Sequence, residues 1–397
     1  MSAPPSEDRE IAVIGGGIAG SALAALLARS GRDVLLLEKN RFPRHKLCGE
    51  FLSMESQALI ERIGCLDEVL AREPARITQG RFFAPSGRDA GFGLNGTALG
   101  LSRWSLDEIL FRHAQRSGAA AHEGARVSRL EKSRDGARLD VEWGDGSRTT
   151  VSARLVVAAY GRRSRIDAQL ARPFLNEPAS ALGFKRHHRA ADTAAGRRLL
   201  AELEGCVEIH LFREGYCGLS RVEGGLINVC LLIRREFLQS LSAPRWDEVC
   251  GEMRARSASL RERLPELVPA EEDVHAVAGL GFSPKEASRG SVLFLGDAAG
   301  MIAPLCGDGQ AMALESAVRL ADAIGGFPAR MGDGDLAALA RGWDAAWTGR
   351  FSRRLWLGKL LQSSLLRVPA AEASVRLASA LPRLASALVR ATRGGAP

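Results

Sequence analysis

Gly15-Gly16-Gly17-Ile18-Ala19-Gly20 stands between an apolar run, Ile11 to Ile14, and a stretch of helical spacing from Ser21 to Gly31. A second apolar run, Val34 to Leu37, ends in Glu38. In a strand–turn–helix of this kind the first glycine permits the tight turn, the second lets the backbone approach a pyrophosphate, and the third lets the helix pack on the strand. Gly15, Gly17 and Gly20 hold those three places. Ile18 and Ala19 then open a helix whose unpaired N–H groups and partial positive charge face a diphosphate. Glu38, eighteen residues beyond Gly20, stands where a carboxylate accepts hydrogen bonds from ribose hydroxyls and disfavours a 2′-phosphate. These residues predict a dinucleotide site. Gly91-Phe92-Gly93-Leu94-Asn95-Gly96 repeats the spacing without either flank and reads as a turn between strands.

A second constellation follows a short apolar run, Ser291 to Leu295: Gly296-Asp297, then Pro304, then Gly307-Asp308-Gly309-Gln310, opening a helix through Ala323. An aspartate at a strand end can accept from a ribityl hydroxyl. A Gly307-to-Gly309 turn lets helix N–H groups reach a pyrimidine carbonyl and stabilise an anionic reduced ring. Between the two constellations lies a basic loop, Lys39 to Lys46, followed by Leu47-Cys48-Gly49-Glu50. Lys39 and Arg44 suit a diphosphate or a nicotinamide nucleotide; a solvated basic loop is the alternative.

With Gly15 to Gly20, Glu38 and Arg44-His45-Lys46-Leu47-Cys48-Gly49-Glu50 in place, the chain resembles the FAD-dependent monooxygenases related to para-hydroxybenzoate hydroxylase. The resemblance is greatest to the branch holding the geranylgeranyl reductases and the flavin halogenases. It implies FAD as cofactor, with the Lys46–Gly49 loop running near the isoalloxazine and Cys48 its neighbour. It implies Arg103 on the phosphate or adenine side, where a surface salt-bridge arginine is the alternative. Val127 falls on the strand whose backbone meets adenine, and Gly161 in a segment touching both FAD and NAD(P)H. The family pattern Gly-Asp-Ala through Pro-x-x-Gly-x-Gly is matched from Gly296 to Gly309, which favours FAD over NAD. Two departures stand out. Tyr160 replaces the aspartate that hydroxylases carry before Gly161, and only Gly215-Tyr216 remains of the reductases' Tyr-x-Trp-x-Phe-Pro element. The halogenases' Trp-x-Trp-x-Ile-Pro element is absent, although Trp343 and Trp347 lie one helical turn apart. Cys48 and Tyr216 are the candidate catalytic residues, with a core tyrosine as the alternative for Tyr216.

The elements that must position these residues form an α/β (α+β) protein. The expectation is a Rossmann-like FAD-binding domain of the GR2 type from 1–74, 100–170 and 275–330. An inserted antiparallel substrate sheet from 75–99 and 171–274, and a helical region from 331–397, complete it. Ser105 with Glu108 reads as a capping box, and Pro369 and Pro382 break the C-terminal helices. The 397 residues carry a net charge of +8, and 351–397 alone hold eight Lys or Arg against a single acid, Glu372. These helices read as the closure of the substrate domain. A peripheral membrane or carrier-protein contact is the alternative.

Seven scattered cysteines, none in a C-x-x-C pair, indicate reduced thiols. Residues 1–9 lack an apolar core and no run reaches the ~18 apolar residues of a membrane span, so a cytoplasmic location is expected. His187 and His188 on one strand point to opposite faces; with no zinc spacing elsewhere, no metal site is expected, nor a nucleic-acid partner. The expected activity is NAD(P)H-dependent monooxygenation, hydroxylation or epoxidation through a flavin hydroperoxide, of an apolar or carrier-tethered substrate with O₂. A flavin-dependent reductase or dehydrogenase acting on a carbon–carbon bond is the alternative.

Overall fold

The computed structural model describes residues 8–381 except 134–135, 178–180, 240, 242–244 and 283. Two sheets carry the architecture. In the first, the apolar runs of the opening motif become the parallel strands Asp8–Ile14 and Val34–Glu38, paired from Ile11↔Val34 to Ile14↔Leu37. Both are buried along their shared length, which is why they read as continuous apolar runs rather than alternating ones. Arg148–Ala158 lies on the other side of Asp8–Ile14, also parallel, and Val292–Phe294 extends the sheet beyond it. The central strand, first in the chain, therefore has the next parallel strand on one side and a much later one on the other, a topological switch point that opens a crevice at its C-terminal end. Ala125–Ser133 and Gly136–Trp143 form the antiparallel flap joined to Arg148–Ala158.

The second sheet has nine strands. Ala181–Ala190, Ile227–Arg234, Gly215–Arg221 and Cys206–Phe212 run antiparallel in that spatial order. Ala75–Phe83 joins Cys206–Phe212 in parallel. His275–Leu280, expected at the edge of the cofactor segment, pairs instead with Ala181–Ala190. One face of this sheet packs under Ala194–Glu202, Trp246–Arg256 and Ala258–Arg263 around Phe212, Leu231, Phe237 and Met253. The other carries Tyr216 and Leu232 in a separate apolar cluster that reaches the helix Val368–Ala380.

Three local expectations are corrected. Gly91 to Gly96 is not a turn: it lies inside the strand Asp89–Gly100. The pairing register shifts opposite Ile77–Gln79 there, and Gly96 takes φ 133° beside Met54, so the glycines serve a bulge. The helix expected to start at Ser105 spans Arg103–Arg116, and its cap is Ser102, whose hydroxyl accepts the Ser105 N–H at 3.2 Å. The C-terminal pattern forms one helix, Asp333–Leu365, whose first half buries Trp343, Trp347 and Phe351 against the first sheet's core rather than the second's. Pro369 sits in the first turn of the next helix, where its missing N–H costs nothing; Pro382 lies outside the described residues. All seven cysteines are free. Among the described residues, no helix is long and apolar enough to cross a membrane.

Candidate functional site

At the C-terminal end of the central strand, Gly15 takes φ 110°, and a Cβ there would lie 2.6 Å from the Ala159 carbonyl oxygen. A Cβ on Gly20 would lie 1.9 Å from the Gly15 carbonyl oxygen. Both glycines are therefore demanded by packing of the turn itself. Gly17 is different: a Cβ there would meet only Lys46 Nζ, at 3.8 Å, and one on Gly161 would meet the same atom at 3.7 Å. The turn and the Gly161 segment thus bound an open cradle with an amine at its edge and the N-terminus of the helix Ile18–Arg29 behind it, a donor set suited to a diphosphate. Lys46 has its pKa lowered, first by burial and then by Arg103.

Glu38 closes the second strand with one carboxylate oxygen accepting the Gly16 N–H at 2.9 Å. The other accepts the backbone N–H and the side-chain amide of Asn40, at 2.9 and 2.7 Å. Its carboxylate is thereby fixed at the crevice rim with lone pairs remaining for hydroxyl donors. Arg44 approaches it at 3.7 Å and Asp107 at 3.8 Å. Arg103 is not a surface arginine: it is buried and grips Asp107 through two bonds of 2.6 and 2.7 Å. Lys39 is exposed and Val127 is buried opposite Val141 in the flap; neither lines the cavity.

A cavity of about 360 Å³ runs between the two sheets. It gathers Gly17, Ile18 and Ala19 from the first constellation, Cys48 and Gly49 from the loop between the two, Arg103 and Gly161, and Asp297, Pro304, Gly307, Gly309 and Gln310 from the second. Tyr216 faces it with Cys230 and Leu232 from the second sheet. Burial first, then neighbouring cysteines, raises the Tyr216 pKa well above its ordinary value. Burial raises that of Cys230. The wall of the second sheet is consequently neutral.

The helix Gly309–Gly325 aims its N-terminus at this cavity. Gln310 donates its amide N–H to Cys48 Sγ and to the Phe51 carbonyl, both at 3.3 Å, while its amide oxygen is buried without a hydrogen-bond partner. A buried polar atom left over in a cavity otherwise matched to a dinucleotide fits an incoming donor such as a ring N–H. The cradle, the fixed acid, the two helix N-termini and this orphaned oxygen all suit FAD.

Several residues that sequence reasoning missed hold the Cys48 loop. Asn228 donates to the Cys48 carbonyl at 3.0 Å and Ser220 to the Gly49 carbonyl at 3.3 Å, so two strands of the second sheet pin the loop from below. Glu50 is fully buried at φ 57°. Its carboxylate accepts from the Arg103 N–H and from His187 Nε2, both at 2.7 Å, and pairs with the buried Lys185 amine. Burial pushes Glu50 toward protonation, but Lys185 and His187 outweigh it and hold its pKa below the ordinary value. Tyr160, in place of the aspartate, donates its hydroxyl to Asp167 at 2.6 Å, which Arg172 also grips at 3.0 Å. Lys285, pushed down to about 8 mainly by burial, donates to the Arg162 and Asp297 carbonyls at 2.8 and 2.7 Å.

A model of the FAD binding domain family matches residues 8–196. The chain is 26% identical over 356 residues to a tryptophan 2-halogenase of Chondromyces crocatus, covering 87% of this chain and 66% of that protein. It therefore spans slightly under two thirds of that relative. With menaquinone reductase of Mycobacterium tuberculosis it is 26% identical over 370 residues, covering 89% of this chain and 82% of that one. In shape it is similar to a geranylgeranyl bacteriochlorophyll reductase-like protein of Thermoplasma acidophilum, with a TM-score of 0.76 at 18% identity over 94% of this chain and 92% of that one.

Proposed function

Since the chain belongs to the superfamily of FAD-dependent oxidoreductases that holds flavin-dependent halogenases and menaquinone reductase, we propose that it oxygenates an apolar or carrier-tethered substrate with NAD(P)H and O₂. Bound FAD supplies the redox chemistry. Gly17 and Gly161 with Lys46 would hold the diphosphate, Glu38 the ribose, and Cys48, Asp297 and the Gly307–Gly309 turn the flavin end. The N-terminus of Gly309–Gly325 there favours negative charge on the reduced ring.

The observation that supports oxygen transfer is the wall of the second sheet. Gly183, Tyr216, Cys230, Leu232 and Leu280 face the cavity and offer a substrate shape and dryness but no ionised acid or base. That suits a reaction in which the protein orients the substrate and excludes water while the cofactor does the chemistry. On the outside, the helix Asp333–Leu365 leans Leu355 and Trp347 on Gly300, next to Met301 of the cavity. The same helix exposes Trp356 and Leu360 among Arg353 and Lys359, which supports docking of an acidic carrier that delivers a tethered substrate.

A second reading, reduction or dehydrogenation of a carbon–carbon bond, draws on Tyr216: a phenol kept protonated in the cavity is the proton donor that such a reduction needs and oxygen transfer does not. Anaerobic reduction with NADH or NADPH, followed by mixing with O₂ in a stopped-flow spectrometer, separates the two. A transient species distinct from oxidised and reduced cofactor, with little free peroxide, is expected. Monophasic reoxidation that releases peroxide stoichiometrically moves the reductase reading to first place. Repeating the reaction with chloride or bromide tests halogenation, the activity named for the halogenase relatives.

A further inference from the structure

Outside the cavity, on the far side of the Cys48 loop, the fold brings three histidines around one carboxylate. His45 comes from the basic loop, His187 from the strand Ala181–Ala190, and Glu271 and His275 from the segment entering His275–Leu280. His45 Nε2 lies 3.1 Å from Glu271 Oε2, His187 Nδ1 3.5 Å from Glu271 Oε1, and His275 Nε2 3.7 Å from Glu271 Oε2. One ligand atom from each of His45, His187 and Glu271 fits within 4.8 Å of the others. We propose that His45, His187 and Glu271 bind a divalent first-row metal ion, zinc by preference, with His275 beside the remaining coordination position.

Four features carry this beyond a chance meeting of side chains. First, the donor set is two imidazoles and a carboxylate, the set that zinc and its neighbours take readily. Second, His187 uses its other ring nitrogen to reach the Glu50 carboxylate at 2.7 Å. A carboxylate behind a ligating imidazole fixes the tautomer that leaves Nδ1 free for a metal. Third, two ring nitrogens, His45 Nδ1 and His275 Nε2, are buried without a hydrogen-bond partner, and His275 stacks on His45 with ring centres 4.5 Å apart. The His275 nitrogen is thereby held against the cluster with nothing else to bond. Fourth, His45, Glu271 and His275 are each about one-fifth exposed, at 21%, 19% and 25%, so an ion can enter.

The sequence expectation about neighbouring histidines stands: His188 points the other way, onto Trp246. The partners of His187 come from residues far away in the chain instead. A metal here ties the loop that carries Lys46 and Cys48 to the second sheet, and its role is positional.

The site is tested on the full-length, untagged, FAD-loaded chain after treatment with a chelator. Zinc titrated against a chromophoric competitor is expected to bind at one equivalent per chain and to raise the melting temperature. Cobalt(II) is expected to give visible ligand-field bands without a thiolate charge-transfer band. Glu271→Gln and His45→Asn should each weaken zinc at least tenfold, while His122→Asn, whose ring packs on Trp143 and is no part of the cluster, leaves it unchanged. Should either variant lose the flavin spectrum, and so the fold, His275→Asn replaces it and should also weaken binding. Three outcomes overturn the proposal: no stoichiometric zinc, which leaves a hydrogen-bonded imidazole cluster; a thiolate band, which moves the ion to a cysteine; or unaltered affinity in the variants that fold.

Discussion

Gly17 and Gly20 belong to one motif, yet the space around them assigns them different burdens. A methyl on Gly20 collides with the Gly15 carbonyl oxygen at 1.9 Å, whereas one on Gly17 meets only the far end of Lys46 at 3.8 Å. Gly20→Ala is therefore expected to destabilise the protein by about 1–3 kcal/mol, the ordinary range for overpacking, with cofactor bound or not. Gly17→Ala should leave the apoprotein's unfolding midpoint within the ~0.5 kcal/mol of a neutral change while weakening FAD at least tenfold. Urea unfolding of the stripped protein and flavin fluorescence titration check the two halves separately. Equal stability losses in both variants would show that Gly17 too is a packing residue. The motif alone shows three required glycines; only the distances show which one leaves room for a ligand.

The long helix Asp333–Leu365 does at the level of elements what no local pattern announces. Arg354 extends from it to Asp308 at the start of Gly309–Gly325, and to Glu315 about two turns on at 2.9 Å. Glu315 is further held by Arg319 at 2.9 Å and by Arg350. Arg354, Asp308 and Glu315 are buried or nearly so, while Arg319 and Arg350 reach partly into solvent, so removing Arg354 takes away a buried countercharge. Arg354→Met is expected to cost about 3–5 kcal/mol and to weaken FAD, because the turn before the helix loses its brace. Combining it with Asp308→Asn should recover part of the stability, since the carboxylate that Arg354 faces loses its charge too. Denaturant unfolding of the single and double variants reads the coupling.

The long buried strands and the helix after each glycine turn were legible in the sequence, because burial leaves apolar runs and turns leave glycines; Asp89–Gly100 was not, because its bulge glycines read as a turn. The capping-box spacing of Ser105 and Glu108 points to the wrong cap, because Ser102, three residues earlier, also precedes a plausible first turn and holds the position. Arg354, Asn228, Ser220, Lys185 and His187 were invisible as parts of the site. Each acts on a residue dozens to hundreds of positions away, and spacing carries no signal over such distances.

Taken whole, the molecule buries ionisable groups at the second sheet as readily as at the first, and this sets its response to acid. Burial pushes His188 down to about 4 from 6.5. The unfolded chain therefore takes up the proton first, and stability is lost as the pH falls from 6.5 toward 4. From the shift, this one residue accounts for roughly 2 kcal/mol by pH 5. Glu208 behaves in the opposite chemical sense with the same outcome. Burial opposes its charge, but His210 and Arg263 hold it at about 2, so its contribution is lost as the pH falls from 4.5 toward 2. Urea midpoints at pH 7.5 and 5 should fall for the wild type, and less for His188→Phe, which keeps the stack on Trp246. An equal fall in both would remove His188 from the account.

The strand Val292–Phe294 completes the sheet that begins at Asp8, pairing Leu293 with Val157. At about 5–20 residues per second of synthesis, it leaves the ribosome roughly 15–60 s after the first strand. From the emergence of Arg148–Ala158 to that moment, roughly 7–27 s at the same rate, the edge of that strand is an open template for mispairing, while the remaining strands of the second sheet emerge. The order of birth is thus the reverse of the order of architecture. The pocket for the cofactor can close only after the strands of the second sheet are out, and the exposed edge waits until then.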